Sequence, residues 1–490
     1  MTAARVRTNR KATFAVLSAA SIGYALLQSL VVPVLPTIQH GLHTSQNNVT
    51  WVLTAYLLSA SIFTPIVGRF GDMWGKEKFL VVALVALLIG CVMSAVATSL
   101  FVMILGRVVQ GVGGGVLPLA FGIIRDEYPE DKVAGAVGLI AAIIAAGSGL
   151  GLALAGPIVG VLDYHWLFWF PAIMLVAATI AAYVVIPPSP VRVHGKVNFL
   201  AAGLLSAWLV AVLVAVSEAP DWGWISVKVL GLIVVGIAVA VLWMSVELRS
   251  THPLIDMRMM RLPVVWTLNL VAFMFGFGMY AVMGFVPEYL QTKPSAGYGF
   301  GLSVTHSGLL MLPLSAVMFF VGLATGRLTI RFGGKLVMLV GSLISVVPFL
   351  LLVFAHSHQW EILLATGLLG GGFGLAYSAM SALIVAGVPP EQTGVASGMN
   401  ANIRTIGGSI GAAVMSSIVT ASAHHGSLPT EAGYNHGFAL LTVGAVAAAG
   451  AGMLVPSVTR KLTMAELEHS MPHAELGMVA AGTLVGDESE

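Results

Sequence analysis

The chain has 490 residues, of which 58% are hydrophobic and only 9% charged, whereas soluble domains carry roughly 25% charged residues. That much apolar surface cannot be enclosed in a water-soluble core, so the chain reads as an integral membrane protein. Its net charge of +2 says little, and its apolar runs are too long and continuous for barrel strands, which are ~10 residues and alternate.

The basic N-terminus TAARVRTNRKATFAVL leads into an apolar run that continues to Pro33 and Pro36 with no small-residue cleavage site. It reads as a retained first span, not a signal peptide. A hydrocarbon core of ~30 Å takes about 20 apolar residues per helix. On that basis spans are predicted near 13–36, 49–67, 79–98, 100–123, 134–161, 166–187, 198–217 and 227–247, then near 264–290, 305–326, 336–355, 360–386, 394–420 and 436–456.

Charge placement supports fourteen spans. With the N-terminus inside, the inner segments hold Arg5, Arg7, Arg10, Lys11, Arg69, Lys76, Lys78, Arg125, Lys132, Arg192, Lys196, Arg249, Arg258, Arg261, Arg327, Arg331, Lys335, Arg460 and Lys461, 19 of the 23 Lys and Arg. Lys228 and Lys293 fall outside, and Arg107 and Arg404 fall within spans. An error of one span would reverse every later loop and destroy this bias. Both termini are therefore expected in the cytoplasm, in a multi-pass protein of the cell membrane. The single cysteine, Cys91, excludes an intrachain disulfide.

The chain also echoes itself. GRFGDMWGK from Gly68 and GRLTIRFGG from Gly326 share Gly-Arg, four residues, an aromatic and Gly; Pro129-Glu130 is matched by Pro390-Glu391. The echoes are 258 and 261 residues apart. They divide the chain into a six-helix half at 1–190, an insert with two spans at 191–262, a second six-helix half at 263–457 and a polar tail at 458–490. Repeated halves suggest a transporter with its site near the midplane between them.

The run GSGLGLALAGPIVG, from Gly147 to Gly160, is too apolar in its flanks to be a loop. Gly147, Gly151 and Ala155 recur every four residues and share one helix face, where small side chains let another membrane helix approach. Gly156-Pro157 is expected to bend the helix.

Together these features resemble the major facilitator superfamily, and within it the fourteen-span drug:proton antiporters, over nearly the whole chain. Gly68-Arg69-Phe-Gly-Asp72-Met-Trp-Gly75-Lys76 matches the loop between spans two and three. Leu105-Gly-Arg107-Val-Val-Gln110-Gly111 matches the span-four motif with its arginine. Gly147, Gly151, Gly156, Pro157 and Gly160 match the span-five antiporter motif. His252-Pro-Leu-Ile-Asp256, Tyr289-Leu-Gln291 and the run from Gly394 to Gly411 also resemble this family. The resemblance implies an all-α major facilitator fold with fourteen transmembrane helices in two six-helix halves plus two inserted helices. It implies export of small amphipathic or lipophilic compounds in exchange for protons, with no cofactor and no enzymatic activity. The expected partners are a small-molecule substrate, protons and the bilayer, with no nucleic acid, for a monomer. One departure stands out: the usual first-span aspartate and asparagine are replaced by Leu27 and Val32. That leaves an importer or facilitator on the same fold as the alternative.

Particular residues follow from the resemblance. Arg107 is tied to proton coupling, against a structural role on backbone carbonyls or lipid; charge at that depth is costly. Glu288, the one acid in the body of span nine, reads either as the proton carrier or as an interfacial acid touching water. Asp72, with Arg69, Gly75 and Arg125, is assigned to an inner gate, Arg125 being the expected partner of Asp72. In the second copy Ile330 replaces the acid, so a second latch is expected to be weaker. Tyr24, Gln28, Tyr56, Gln110, Phe273, Phe277, Tyr280, Met311, Tyr377 and Asn400 are candidates for the substrate cavity, since aromatics and methionine adapt to varied apolar ligands; each could equally be a packing residue.

Two short matches carry no function. Gly407-Gly-Ser409-Ile-Gly411 fits a hydrolase elbow but falls in a span, where small-residue packing explains it. Asn48-Val-Thr50 fits a glycosylation acceptor, a common three-residue pattern. No phosphate loop is present. The histidines show no ligand spacing, with His356, His358, His424 and His425 near outer loops.

Overall fold

The computed structural model describes residues 9–44, 46–190, 198–250, 253–421 and 429–456. Arg5, Arg7, Arg192, Lys196, His252, His424, His425, Arg460, Lys461 and the polar tail lie outside them. Among the described residues, fourteen helices are long and apolar enough to cross a membrane, and each coincides with one expected span.

The first six are α1 (Arg10–Ser29), α2 (Gln46–Trp74), α3 (Lys76–Ala95), α4 (Leu100–Glu127, tightened to a 3-10 turn at Val112–Gly115), α5 (Glu130–Val161) and α6 (Trp166–Val185). The inserted pair is α7 (Phe199–Trp222) and α8 (Val227–Arg249). The last six are α9 (Pro263–Gln291), α10 (Val304–Phe332), α11 (Gly334–Phe354), α12 (Gln359–Ala386), α13 (Thr393–Ala421) and α14 (Glu431–Leu454). A short helix, Leu35–Gly41, follows α1, and another, Met257–Met260, precedes α9. Arg10, Lys11, Arg69, Lys76, Arg125, Lys335 and their like gather at one end of the bundle, called the basic end below.

Hydropathy underestimates two helices there. The GRFGDMWGK segment is not a loop: α2 stays helical to Trp74, and only Gly75 leaves the helix, at φ 115°. The second copy behaves alike, α10 running to Phe332 before Gly333 at φ 83°. Both glycines occupy a conformation that side chains disfavour, so the echo is one of backbone geometry as well as of letters.

The halves meet chiefly where α2 crosses α13 and α5 crosses α10, with α5 also against α12 and α4 against α13. Glycine makes each crossing close. A Cβ on Gly68 would stand 2.7 Å from the Gly394 carbonyl oxygen, and one on Gly326 would stand 2.8 Å from the Cα of Gly135. Backbones that approach this closely gain dispersion contacts that lipid cannot replace. The Gly407–Gly411 run serves the same end, since Cβ atoms at Gly407 and Gly411 would strike the carbonyls of Phe273 and Phe277 on α9.

The insert sits on the α2–α13 crossing. α7 packs on both helices, Thr54 Oγ1 and Ser217 Oγ are 3.1 Å apart, and Trp224 Nε1 donates to Ser417 Oγ at 2.7 Å. α8 lies outside α7 and leaves Val234, Ile237 and Val241 exposed, as a lipid-facing helix would.

Candidate functional site

Asp72 and Arg125 join the halves at the basic end. Asp72, buried in the last turn of α2, accepts a hydrogen bond from the Val395 amide at 3.1 Å. Val395 is in the first turn of α13, where amides lack helical partners and the helix dipole favours an anion. Gly394 makes room, since a Cβ there would lie 2.8 Å from both Asp72 oxygens. Arg125, in the last turn of α4, donates to the Val385 carbonyl and, at 3.0 Å, to Thr393 Oγ1. Val385 is in the last turn of α12, where a cation is favoured. The expected Asp72–Arg125 pair is therefore not formed; each residue satisfies a separate helix end of the opposite half.

The charge beside Asp72 is Lys76, fully buried, 3.8 Å away and bound at 2.9 Å to Asp126, which also accepts from Ser189 Oγ at 2.5 Å. Lys76 belongs to the quoted motif, yet its partner Asp126 had no sequence signal beyond following Arg125. Arg69 is half-buried in the field of Asp72, Glu247 and Asp256, which brings the inserted segment up to the same gate. Asp256 in turn accepts from Gln392 Nε2 at 3.2 Å. In the second copy Arg327, Ile330 and Arg331 are exposed, Ile330 by 70%, and Arg331 lies over Phe332.

The glycines of α5 divide their work. Gly147 and Gly151 face α1 of their own half, against Ala25, Leu26 and Ser29, whereas Gly149 and Gly156 face Ser315 and Thr305 of α10 across the seam. Gly160 meets nothing within 4 Å. α5 stays helical through Pro157, whose ring is exposed in the last turn.

Arg107 is fully buried. It donates from Nε to the Val52 carbonyl at 2.9 Å and from Nη1 to Gln110 Oε1 at 2.6 Å, and its guanidinium lies 4.2 Å from the Tyr56 ring centroid. Nη2 has no partner. Glu288 does not join it. α9 extends to Gln291, so Glu288 falls in the last turn at the end opposite the latch, exposed and facing Tyr434.

Five of the ten cavity candidates converge. Gln28 Nε2 donates to the Tyr280 hydroxyl at 3.1 Å across the halves. Tyr24 is close to both Tyr56 and Tyr280, and Tyr377 lies under the Arg404 guanidinium, 4.6 Å from ring centroid to Cζ. The other five are engaged within one half. Gln110 spans Arg107 and Ser94; Asn400 donates to Asn269 Oδ1 and the Leu268 carbonyl; Met311 is fully buried; Phe277 turns toward Gly444 of α14, and the Phe273 backbone abuts Gly407. An apolar pocket elsewhere in the second half, lined by Phe275, Gly278, Ser345, Phe349 and Phe373, includes none of the ten. Arg404 was the omission. An arginine eleven residues inside a span was its signal.

Comparison with known proteins agrees with this architecture. The sequence profile of the Major Facilitator Superfamily matches residues 17–412 and 268–468. The chain is 27% identical over 389 residues to the multidrug transporter protein MdtP of Bacillus subtilis, covering 78% of this chain and 70% of that protein. It is 26% identical over 396 residues to the tetracenomycin C resistance and export protein of Streptomyces glaucescens, covering 80% and 72%. The crystal structure of the human organic anion transporter MFSD10 has a similar fold, with a TM-score of 0.68 at 15% identity, covering 92% of this chain and all of that one. With its fourteen spans, its two glycine-crossed halves and a profile match over most of its length, the chain is a multi-pass membrane transporter that belongs to the major facilitator superfamily.

Proposed function

We propose that the protein exports small amphipathic or lipophilic compounds from the cytoplasm by alternating access, in exchange for protons. The observation that carries this reading is the Asp72–Val395 contact. It joins the two halves at one end through a single charged group on a helix terminus, so it can be made and broken as a unit. The positive charge gathered at that end supports reading it as the cytoplasmic end, with both chain termini on that side. The names of the relatives, a multidrug transporter and an export protein, support the direction. In this reading the proton gradient supplies the free energy, and no cofactor takes part.

Glu288, exposed at the outer end, takes the proton from outside. Arg107 holds the Val52 carbonyl of α2, the helix that carries Asp72, and so links the outer half of the bundle to the inner gate. The test is transport in proteoliposomes with substrate-driven proton movement as readout. Export that persists after the pH gradient and membrane potential are both collapsed overturns the antiport reading. Net flux toward the basic end overturns export.

A further inference from the structure

Among the described residues, the centre of the bundle holds two cations, Arg107 and Arg404, and no acid. Arg404 lies eleven residues into α13, about 17 Å from its start at 1.5 Å per residue. Its electrostatic neighbours are all tyrosines: Tyr377, Tyr280 and Tyr24. Those of Arg107 are Tyr56 and Cys91. Every acid among the described residues lies within four positions of a helix end or in a connection. No salt bridge reaches either arginine among the described residues.

An arginine at membrane depth without a counter-charge is costly, and such groups pair with whatever anion the site admits. Arg107 is enclosed. Arg404, Gln28 and Tyr280 are instead half-buried, and they come from both halves, joined by the Gln28–Tyr280 hydrogen bond. The guanidinium rests on Tyr377, to which it also hydrogen-bonds, and the remaining N–H groups of its fork suit a planar acceptor. A cationic compound would meet two like charges here, and two of the four tyrosine rings, Tyr56 and Tyr377, already carry an arginine.

We infer that the transported compound is an amphipathic organic anion, whose carboxylate or equivalent acidic group is held by Arg404 with Tyr280 and Gln28 while its apolar body lies against the tyrosine rings. This rests on the export reading for its transport, but not for its binding, and the two are separated in the test. Arg404 is the specificity residue: Arg404→Lys keeps the charge, and Arg404→Gln removes it.

The probes are carboxyfluorescein and rhodamine 6G, which share a xanthene ring and carry opposite charge. Binding is read by fluorescence anisotropy on the purified full chain, and flux is read in proteoliposomes. Carboxyfluorescein should bind the wild type, and Arg404→Gln should weaken it about tenfold or more, the loss expected for a charge-assisted hydrogen-bonded pair. Arg404→Lys should retain most of the binding, which separates lost charge from misfolding. Binding of rhodamine 6G in preference to carboxyfluorescein overturns the proposal and, if the cation is exported, leaves the export reading intact. Carboxyfluorescein binding that depends on Arg404, with no flux of either dye, supports the site and overturns export. Unchanged affinity in Arg404→Gln, binding of neither dye, or full displacement of carboxyfluorescein by millimolar chloride also overturns the proposal, the last by showing an inorganic-anion site.

Discussion

The carboxylate of Asp72 on α2 accepts the backbone amide of Val395 on α13, 3.1 Å away, while Arg125 reaches Thr393 two residues earlier on the same helix, at 3.0 Å. One acid and one base from the first half thus hold the terminal turn of one helix in the second. The dipole favours Asp72 at the N-terminus of α13 and Arg125 at the C-terminus of α12, where it also donates to the Val385 carbonyl. A hydrogen bond to a charged group contributes about 1.5–3 kcal/mol. Two such contacts are enough to bias the halves toward a conformation closed at the basic end, and few enough to release.

Replacement of Asp72 by Ala should therefore open the basic end. The loss of one charged hydrogen bond would shift that equilibrium roughly tenfold or more. Cys91 is the one native cysteine and is buried, so a cysteine placed at Ser397 in a Cys91→Ala background reports the change by alkylation from the basic side. Equal alkylation with and without Asp72 would remove the latch from the gate.

At the seam, Gly149→Leu and Gly156→Leu should abolish transport while the protein still inserts. Their side chains would collide with Ser315 and Thr305 on α10. Gly160→Leu should be tolerated, because nothing lies within 4 Å. Membrane yield and flux measured together decide this; full activity in Gly156→Leu would contradict close packing at the crossing.

Glu288→Gln should leave downhill movement of substrate in place and stop its accumulation against a gradient, since the amide cannot carry a proton. Flux with and without an imposed pH gradient measures this directly. Wild-type coupling in the variant would place the proton elsewhere and reduce Glu288 to an interfacial acid beside Tyr434.

The insert is attached to both halves, and Trp224→Phe removes its hydrogen bond to Ser417. A typical hydrogen bond is worth about 0.5–1.5 kcal/mol net, so the variant should lower thermal stability by a few degrees at most. A much larger loss would show that the insert supports the α2–α13 crossing rather than decorating it.

The architecture was legible in the sequence because the bilayer imposes it. Long apolar runs, loop charge and the echo of Gly68 in Gly326 each report a constraint that acts along the chain, and all fourteen helices lie where those signals put them. The same locality explains the errors. Asp72 and Arg125 stood close in any reading of the basic end, but their real partners, Val395 and Val385, are backbone groups, which no side-chain pattern announces. For Glu288 the sequence left open a position in the span or at its outer interface, because hydropathy marks a span only to within several residues; α9 ends at Gln291, so Glu288 stands in its last turn.

By itself the sequence determined the number of spans, their order, the glycines needed where helices cross, and the scarcity of charge inside. Only the tertiary structure decided which glycines face the other half, which of ten cavity candidates converge on Tyr24, Gln28 and Tyr280, and that Arg404 stands among tyrosines with no acid beside it. The reason is physical. Burial in lipid is a property of each segment, whereas a binding site between two halves exists only once residues hundreds of positions apart are brought within a hydrogen bond of each other, as Gln28 and Tyr280 are.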